Sequence, residues 1–198
     1  MKKILAIVPN GFEEIELLQT VDILRRTGFL VSMVSLSEEK ELVGTHNINI
    51  IADHNNKYLT NDNLSAYDLL LIPGGKGYVN YFKEENCLLL KNIVNFFLQN
   101  NKKIAAICAA PFVLDNLNLI KNFNISVTPS LENKIQHNRI VKKRVVVDNN
   151  LITSSGPADT CFFTFKIIEA LVGEEKATDY KNQLRYYYCT EENNFIES

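Results

Sequence analysis

The 198-residue sequence has no tryptophan, only three histidines and no excess of charge of either sign. Its 21 basic and 23 acidic residues give a formal charge of -2, so we expect neither a nucleic-acid partner nor binding to a membrane surface. No apolar run approaches the ~20 residues that a membrane span requires. The apolar stretch that follows Lys3 is interrupted at Pro9, which is too early for an export signal. We predict a cytoplasmic protein.

Cysteine, glycine and proline are also sparse, and their placement excludes further classes of protein. The four cysteines lie far apart, which offers no paired spacing for zinc or for a disulfide framework: Cys87, Cys108, Cys161 and Cys189. We expect no metal and no organic cofactor. No linker rich in glycine or proline divides the chain, so we predict a single domain over residues 1–190 and a polar tail over residues 191–198.

What the chain does contain is an alternation of short apolar runs with amphipathic segments. This alternation predicts an α/β fold, in which a mainly parallel sheet is covered by helices on both faces. Strands are expected at residues 3–8, 30–36, 69–72 and 104–108, helices at residues 13–27, 86–100, 157–171 and 174–184, and hairpins at residues 42–53 and 145–153.

Three of the predicted strands are followed by residues suited to a site. Gly11, Gly74 and Cys108 each come after a strand, and ligands bind beyond the carboxyl ends of strands in an open parallel sheet. We therefore expect these residues to meet at one rim of the sheet.

Cys108 is the strongest candidate for a reactive group. It ends a predicted strand, and Pro111 suits the first turn of the helix that follows. The positive end of a helix favours the thiolate, which is the nucleophilic form of cysteine. The alternative is a small buried residue that closes a core strand, a common role for free cysteine. This segment alone leaves both interpretations open.

A carboxyl group and a glycine turn are the other candidates for chemistry. Glu16 lies between two apolar residues one turn into a predicted helix, where partial burial would raise its pKa and make it a general acid or base. Gly74 and Gly75 follow Pro73, and their amides together with that of Ala109 form a candidate oxyanion hole. The alternative for Glu16 is a favourable interaction of its charge with the positive end of the helix, and the alternative for the glycines is an ordinary tight turn.

The chain resembles the ThiJ/PfpI family over nearly its whole length, to about Tyr187. Five segments, in the same order as the motifs of that family, carry the resemblance: residues 11–16 (GFEEIE), 21–28 (VDILRRTG), 71–75 (LIPGG), 105–111 (AAICAAP) and 152–157 (ITSSGP). The resemblance implies a flavodoxin-like three-layer sandwich and a homodimer. It implies a nucleophile-elbow cysteine at Cys108 and a protonated glutamate, hydrogen-bonded to its sulfur, at Glu16. It also implies oxyanion amides at Gly75 and Ala109.

The chain departs from that family at two positions. Thr128 stands where many members have a histidine or tyrosine, and Ser155 stands where many have an arginine. Without the histidine, hydrolysis by a cysteine–histidine pair is disfavoured, whereas addition of a thiol to an aldehyde is not. His46 falls where some relatives carry a basic residue near the dimer interface. His46 and Thr128 are therefore accessory candidates.

These observations favour a cofactor-independent glyoxalase or deglycase that acts on methylglyoxal-like dicarbonyls or on their early glycation adducts. The alternative from another class is a non-enzymatic sensor or chaperone of oxidative stress, in which peroxide converts Cys108 to the sulfinate. An amidase or protease is a weaker alternative.

Overall fold

The computed structural model describes residues 1–186, so Cys189 and the predicted polar tail lie outside the described residues. The strands are β1 (Lys3–Val8), β2 (Leu30–Ser35), β3 (Glu41–Val43), β4 (Asn49–Ile51), β5 (Leu69–Ile72), β6 (Lys103–Ile107), β7 (Asn124–Ile125), β8 (Arg139–Ile140), β9 (Val145–Asp148) and β10 (Leu151–Ser154). The α-helices are α1 (Thr20–Arg26), α2 (Asn61–Ser65), α3 (Glu84–Gln99), α4 (Ala110–Asn116), α5 (Thr160–Val172) and α6 (Glu174–Gln183).

The central sheet has six strands in the order β2-β1-β5-β6-β10-β9. Neighbouring strands from β2 to β10 run parallel, and only β9 pairs antiparallel, with β10. The order of the five parallel strands is that of the flavodoxin-like doubly wound sheet. The predicted mainly parallel sheet is confirmed.

Two apolar cores enclose this sheet. Alternate residues of β1 face opposite sides: Ile4 and Ala6 enter one core and Leu5 enters the other. The first core includes buried side chains of α1, α5 and α6, and the second includes those of α2, α3 and α4. The molecule is therefore a three-layer sandwich of helices, sheet and helices, as the sequence predicted.

Two local features differ from the sequence prediction. The helix expected over residues 13–27 begins with a wide π turn, Ile15–Gln19, before α1. This turn buries two consecutive residues, Glu16 and Leu17. Strand β6 ends at Ile107, one residue earlier than predicted, because Cys108 has a left-handed backbone with φ of 63°. Both departures occur at the predicted rim.

The glycine and cysteine junctions do meet at one rim of the sheet. The amide of Glu13 donates to the Gly74 carbonyl at 3.0 Å, and the amide of Gly77 donates to the Gly11 carbonyl at 2.7 Å. The hairpin of β3 and β4 is confirmed and bonds to the same loop, since the Gly11 amide donates to the Val43 carbonyl. No helix within residues 1–186 is long and apolar enough to cross a membrane.

Candidate active site

Cys108 forms the turn between β6 and α4. Its amide donates to the Ser154 carbonyl at 2.8 Å, and its carbonyl accepts from the Thr128 amide at 3.0 Å. A positive φ is uncommon for a residue with a side chain and costs about 1–3 kcal/mol. The neighbouring segments therefore hold Cys108 in a strained elbow, and the residue is half-buried.

Glu16 is fully buried beside this elbow. Its Oε2 accepts the Gly74 amide at 2.9 Å, whereas its buried Oε1 has no hydrogen-bond partner of ordinary geometry in the described part of the chain. Burial raises the pKa of Glu16 to about 7; the hydrogen bond with the Cys108 thiol opposes this rise, and the charge of Glu13 adds to it. An unpartnered oxygen in this position favours the neutral acid, because a buried carboxylate loses its hydration.

The Cys108 thiol does not behave as the sequence predicted. With Glu16 ionised, burial, the Glu16 charge and the hydrogen bond to Glu16 raise the pKa of Cys108 to about 12, against the opposing amides of Gly75 and Ala109. The sequence predicts that the following helix lowers this pKa. Helix α4 has only seven residues, and burial is the largest effect on the thiol.

The two acids titrate as a coupled pair rather than independently. Protonation of Glu16 removes the negative charge that raises the pKa of Cys108. Transfer of the thiol proton to an ionised Glu16 removes the same charge and leaves a neutral acid beside a thiolate, which the Gly75 and Ala109 amides stabilise. The site thus holds a nucleophile and a proton donor on neighbouring atoms.

The glycine turn permits this close approach. A Cβ atom at Gly74 would lie 2.6 Å from the Cys108 Cβ and 2.6 Å from the Glu16 Oε2. Gly75 has φ of 101°, a conformation that favours glycine. The prediction for Gly74 as an oxyanion donor is wrong, because its amide already donates to Glu16. The Gly75 and Ala109 amides stay in that predicted role.

The two accessory candidates take different positions. The backbone amide of Thr128 donates to the Cys108 carbonyl. His46 pairs with Glu14: its amide donates to Glu14 Oε1 at 2.6 Å, and its Nδ1 lies 2.9 Å from Glu14 Oε2. Burial opposes ionisation of Glu14, but these bonds outweigh it and lower the pKa of Glu14.

Glu13, Glu14 and His46 are spaced closely enough to suggest a metal site, with ligand atoms within 4.8 Å of one another. Both oxygens of Glu14 already bond to His46, and Glu13 Oε2 accepts the Glu16 amide at 2.7 Å. A metal would have to displace these bonds. We therefore assign no metal to this cluster.

Sequence reasoning missed an aromatic group beside the elbow. Tyr78 lies in the 3-10 segment Lys76–Phe82, directly after Gly75, and Phe112 lies in α4, directly after Pro111. Their ring centroids are 6.1 Å apart, and Phe82 lies within 6.4 Å of both. The sequence feature that could have predicted this group is the aromatic content of residues 76–82 (KGYVNYF), immediately after the glycine turn.

A doubly wound α/β sandwich with a strained cysteine elbow and a buried glutamate defines a class of cysteine-centred proteins. Residues 2–170 match the model of the DJ-1/PfpI family, and the chain belongs to that family. The resemblance to the ThiJ/PfpI family is thereby confirmed.

Several known relatives share both sequence and fold with this chain. It is 31% identical over 189 residues to the protein dj-1beta of Drosophila melanogaster, covering 94% of this chain and 98% of that one. It is 31% identical over 175 residues to DJ-1 homolog B of Arabidopsis thaliana, of which it spans only 39% while 88% of this chain is covered. The crystal structure of Drosophila DJ-1beta matches with a TM-score of 0.84 and 30% identity, covering 93% of this chain and 97% of that one. The structure of oxidized Toxoplasma gondii DJ-1 matches with a TM-score of 0.84 and 28% identity, covering 95% and 100%.

Proposed function

We propose that this chain is a cysteine-dependent glyoxalase or deglycase that acts on methylglyoxal-like dicarbonyls or their early glycation adducts. One observation carries the proposal: a buried Glu16 carboxyl with a pKa of about 7 lies beside the Cys108 thiol. An acid whose pKa is near the operating pH both donates and accepts protons efficiently. The pair therefore suits a reaction that needs a sulfur nucleophile and several proton transfers.

The reaction begins when the Cys108 sulfur adds to the aldehyde carbon of methylglyoxal. The thiol proton passes to the Glu16 carboxylate as the carbon–sulfur bond forms and the carbonyl π bond breaks, and the resulting oxyanion takes that proton back from Glu16 to give a hemithioacetal. The amides of Gly75 and Ala109 stabilise the developing negative charge.

The hemithioacetal then rearranges by proton transfer from the former aldehyde carbon to the neighbouring ketone carbon, with the Glu16 carboxylate as the base. The former aldehyde carbon is oxidised to a thioester, and the ketone carbon is reduced to an alcohol, so no external oxidant is needed. Water cleaves the thioester, releases lactate and regenerates the thiol. On an early glycation adduct, the same addition and rearrangement would amount to deglycation.

The test is turnover of methylglyoxal to lactate by the purified protein. Cys108→Ser is expected to abolish turnover, since a hydroxyl of ordinary pKa is a poor nucleophile without a dedicated base. Cys87→Ser is the matched control, because Cys87 is a free, half-buried cysteine on α3. Full activity in Cys108→Ser, or an equal loss in Cys87→Ser, would refute the assignment.

A second function is supported by the partial exposure of Cys108 and by the donors around its sulfur. Peroxide would oxidise the thiolate to a sulfenate and then to a sulfinate, with one peroxide molecule consumed and one oxygen gained in each step. The Glu16 proton and the amides of Gly75 and Ala109 would stabilise the sulfinate oxygens. A relative whose structure is described as oxidized makes this function worth testing.

The measurement for this second function is the intact mass after mild peroxide treatment. A gain of two oxygens confined to Cys108 supports a redox sensor or chaperone. A mass that stays unchanged rejects it. The catalytic and redox functions use the same thiol and do not exclude each other.

We also propose that the protein is a homodimer. The β3–β4 hairpin exposes the apolar side chains of Val43, Ile48 and Ile51, and Ile15 at the start of the π turn is also exposed. Sedimentation equilibrium tests the proposal, with a mass of twice 22.6 kDa expected. A single species of 22.6 kDa at micromolar concentration would contradict it.

A further inference from the structure

The aromatic side chains beside Cys108 form a surface that the reaction proposed above does not use. We call Tyr78, Phe82 and Phe112 the aromatic wall. Their rings make three edge-on contacts with centroid distances of 6.1 to 6.4 Å. Such contacts contribute about 0.5–1.5 kcal/mol each beyond the burial of apolar area, so the wall is held in a defined shape.

The aromatic wall is built on the two segments that also supply the amides near the sulfur. Tyr78 follows Gly75 by three residues, and its amide donates to the Gly75 carbonyl at 3.1 Å. Phe112 follows Ala109 by three residues, which is about one helical turn. The position of the wall relative to the Gly75 and Ala109 amides is therefore fixed by short covalent paths.

Two members of the wall pack in the same cluster as Cys108. Cys108 and Tyr78 pack against the same small cluster of buried side chains, which is separate from the two main cores and consists of Ala109, Phe112, Val127 and Leu131. Phe112 is 8% exposed, Tyr78 is half-buried and Phe82 is 36% exposed. The rings of the wall thus extend from the cluster that Cys108 contacts to the exposed Phe82.

Packing in the core explains why Phe112 is aromatic, because Phe112 is buried. Packing does not explain why the exposed part of Phe82 is aromatic. Aromatic area left in water next to a nucleophile gains free energy when an apolar group covers it, at roughly 25 cal/mol per Å². In a 2-oxoaldehyde, the substituent on the ketone carbon lies two carbons from the atom that the sulfur attacks. That substituent is the part of the substrate that carries apolar area.

We propose that the aromatic wall binds the substituent of the dicarbonyl, so that the enzyme prefers aryl-substituted 2-oxoaldehydes to methylglyoxal. This inference rests on the proposed function and names its substrate class. The bonds formed and broken are those of the methylglyoxal reaction, and the aromatic ring of the substrate stays unchanged. The product is the corresponding 2-aryl-2-hydroxy acid.

The first experiment compares kcat/KM for phenylglyoxal and methylglyoxal. We expect kcat/KM for phenylglyoxal to exceed that for methylglyoxal by about 10-fold or more, because contact between the phenyl ring and the wall stabilises the bound substrate and the transition state. Phe82→Ala and Tyr78→Leu are each expected to lower the ratio at least threefold, because they reduce kcat/KM for phenylglyoxal more than kcat/KM for methylglyoxal. Val79→Ala is the control, since Val79 is exposed on the same segment and lies outside the wall.

A second experiment detects the wall without turnover. The rates at which iodoacetamide and its N-phenyl derivative alkylate Cys108 are measured by peptide mass and normalised to their rates with free cysteine. We expect the phenyl reagent to gain severalfold on the protein, and Phe82→Ala and Tyr78→Leu to abolish the gain.

The two experiments separate failure of the wall from failure of the proposed function. If neither aldehyde is turned over but alkylation shows an aryl preference, the aryl-binding role of the wall stands and the proposed enzymatic activity is refuted. Turnover with a phenylglyoxal-to-methylglyoxal ratio near 1, or a ratio unaffected by both variants, would overturn the inference. Absence of both turnover and aryl preference would overturn both.

Discussion

Glu14 and Glu16 lie two residues apart at the same rim of the sheet, yet their surroundings move their pKa values in opposite directions. Glu14 accepts two bonds from His46, which outweigh the effect of burial and lower its pKa. Glu16 accepts the Gly74 amide and bonds to the Cys108 thiol, but burial outweighs both and raises its pKa to about 7. Hydrogen-bond partners therefore decide which carboxyl keeps a proton at neutral pH.

This comparison assigns the two carboxyls different roles. Glu14 is a structural anion that ties the hairpin tip to the start of the π turn. Glu16 is a proton carrier whose neighbour is the Cys108 thiol. The π turn permits both roles, because it buries Glu16 against the elbow while Glu14 faces His46.

The largest expected effect is a loss of enzymatic activity that follows substitution of Glu16 but not of Glu14. Glu16→Gln removes the proton carrier and is expected to lower kcat/KM for methylglyoxal about a thousandfold, within the range typical of a general acid–base group. Glu14→Gln is the matched control and is expected to cost less than about tenfold. Steady-state kinetics at pH 7 measure both. Equal losses in the two variants would mean that the carboxyls are not functionally distinct.

The next effect is on the pH dependence of stability. The folded pKa of Glu16, about 7, exceeds its ordinary value of 4.5, so the folded chain holds more protons than the unfolded chain between these values. The free energy of unfolding therefore falls as pH rises through this window, by roughly 3 kcal/mol in total. Urea denaturation at pH 5 to 8 should show this fall in the unmodified protein and a flatter profile in Glu16→Gln. A fall of the same size in Glu16→Gln would assign it to another group.

A smaller effect tests the coupling between Glu16 and the thiol. The hydrogen bond from Cys108 lowers the pKa of Glu16, so Cys108→Ala should raise that pKa further. The fall in stability should then occur at higher pH. Cys87→Ala, the change at the other free cysteine among residues 1–186, should leave the profile in place. A shift to lower pH in Cys108→Ala would contradict the coupling.

The smallest effect concerns Glu14. Its lowered pKa stabilises the fold above pH 4.5, and this contribution is lost as pH falls through the folded pKa. His46→Ala removes the imidazole bond, and because that side chain is 67% exposed, the loss at pH 7 should be only a few tenths of a kcal/mol. Acid titration followed by circular dichroism should show that His46→Ala loses less stability below pH 4.5 than the unmodified protein does. An unchanged acid limb would mean that the imidazole does not contribute.

The sequence predicted the sheet and the residues at its rim because apolar periodicity and strand ends are local signals. Buried β5 and the glycine turn after it are visible as a short apolar run ended by Pro73, Gly74 and Gly75. The helix after Cys108 is also visible, from Pro111. These features depend on a few neighbouring residues only.

The sequence did not predict the features that depend on distant contacts. The partner of the Gly74 amide is 58 residues away, and the His46 amide bonds to a carboxyl 32 residues away. The raised pKa of Cys108 follows from burial, which spacing along the chain does not report. The aromatic wall was missed for the same reason, since Tyr78 and Phe112 meet only in the folded chain.

The central claim is that Glu16 carries a proton beside Cys108 near neutral pH. Carbon-13 NMR of the side-chain carboxyl groups, with Glu16→Gln used to assign the Glu16 resonance, measures its titration directly. We predict a midpoint near pH 7. A midpoint at or below the ordinary value of 4.5 would contradict the account.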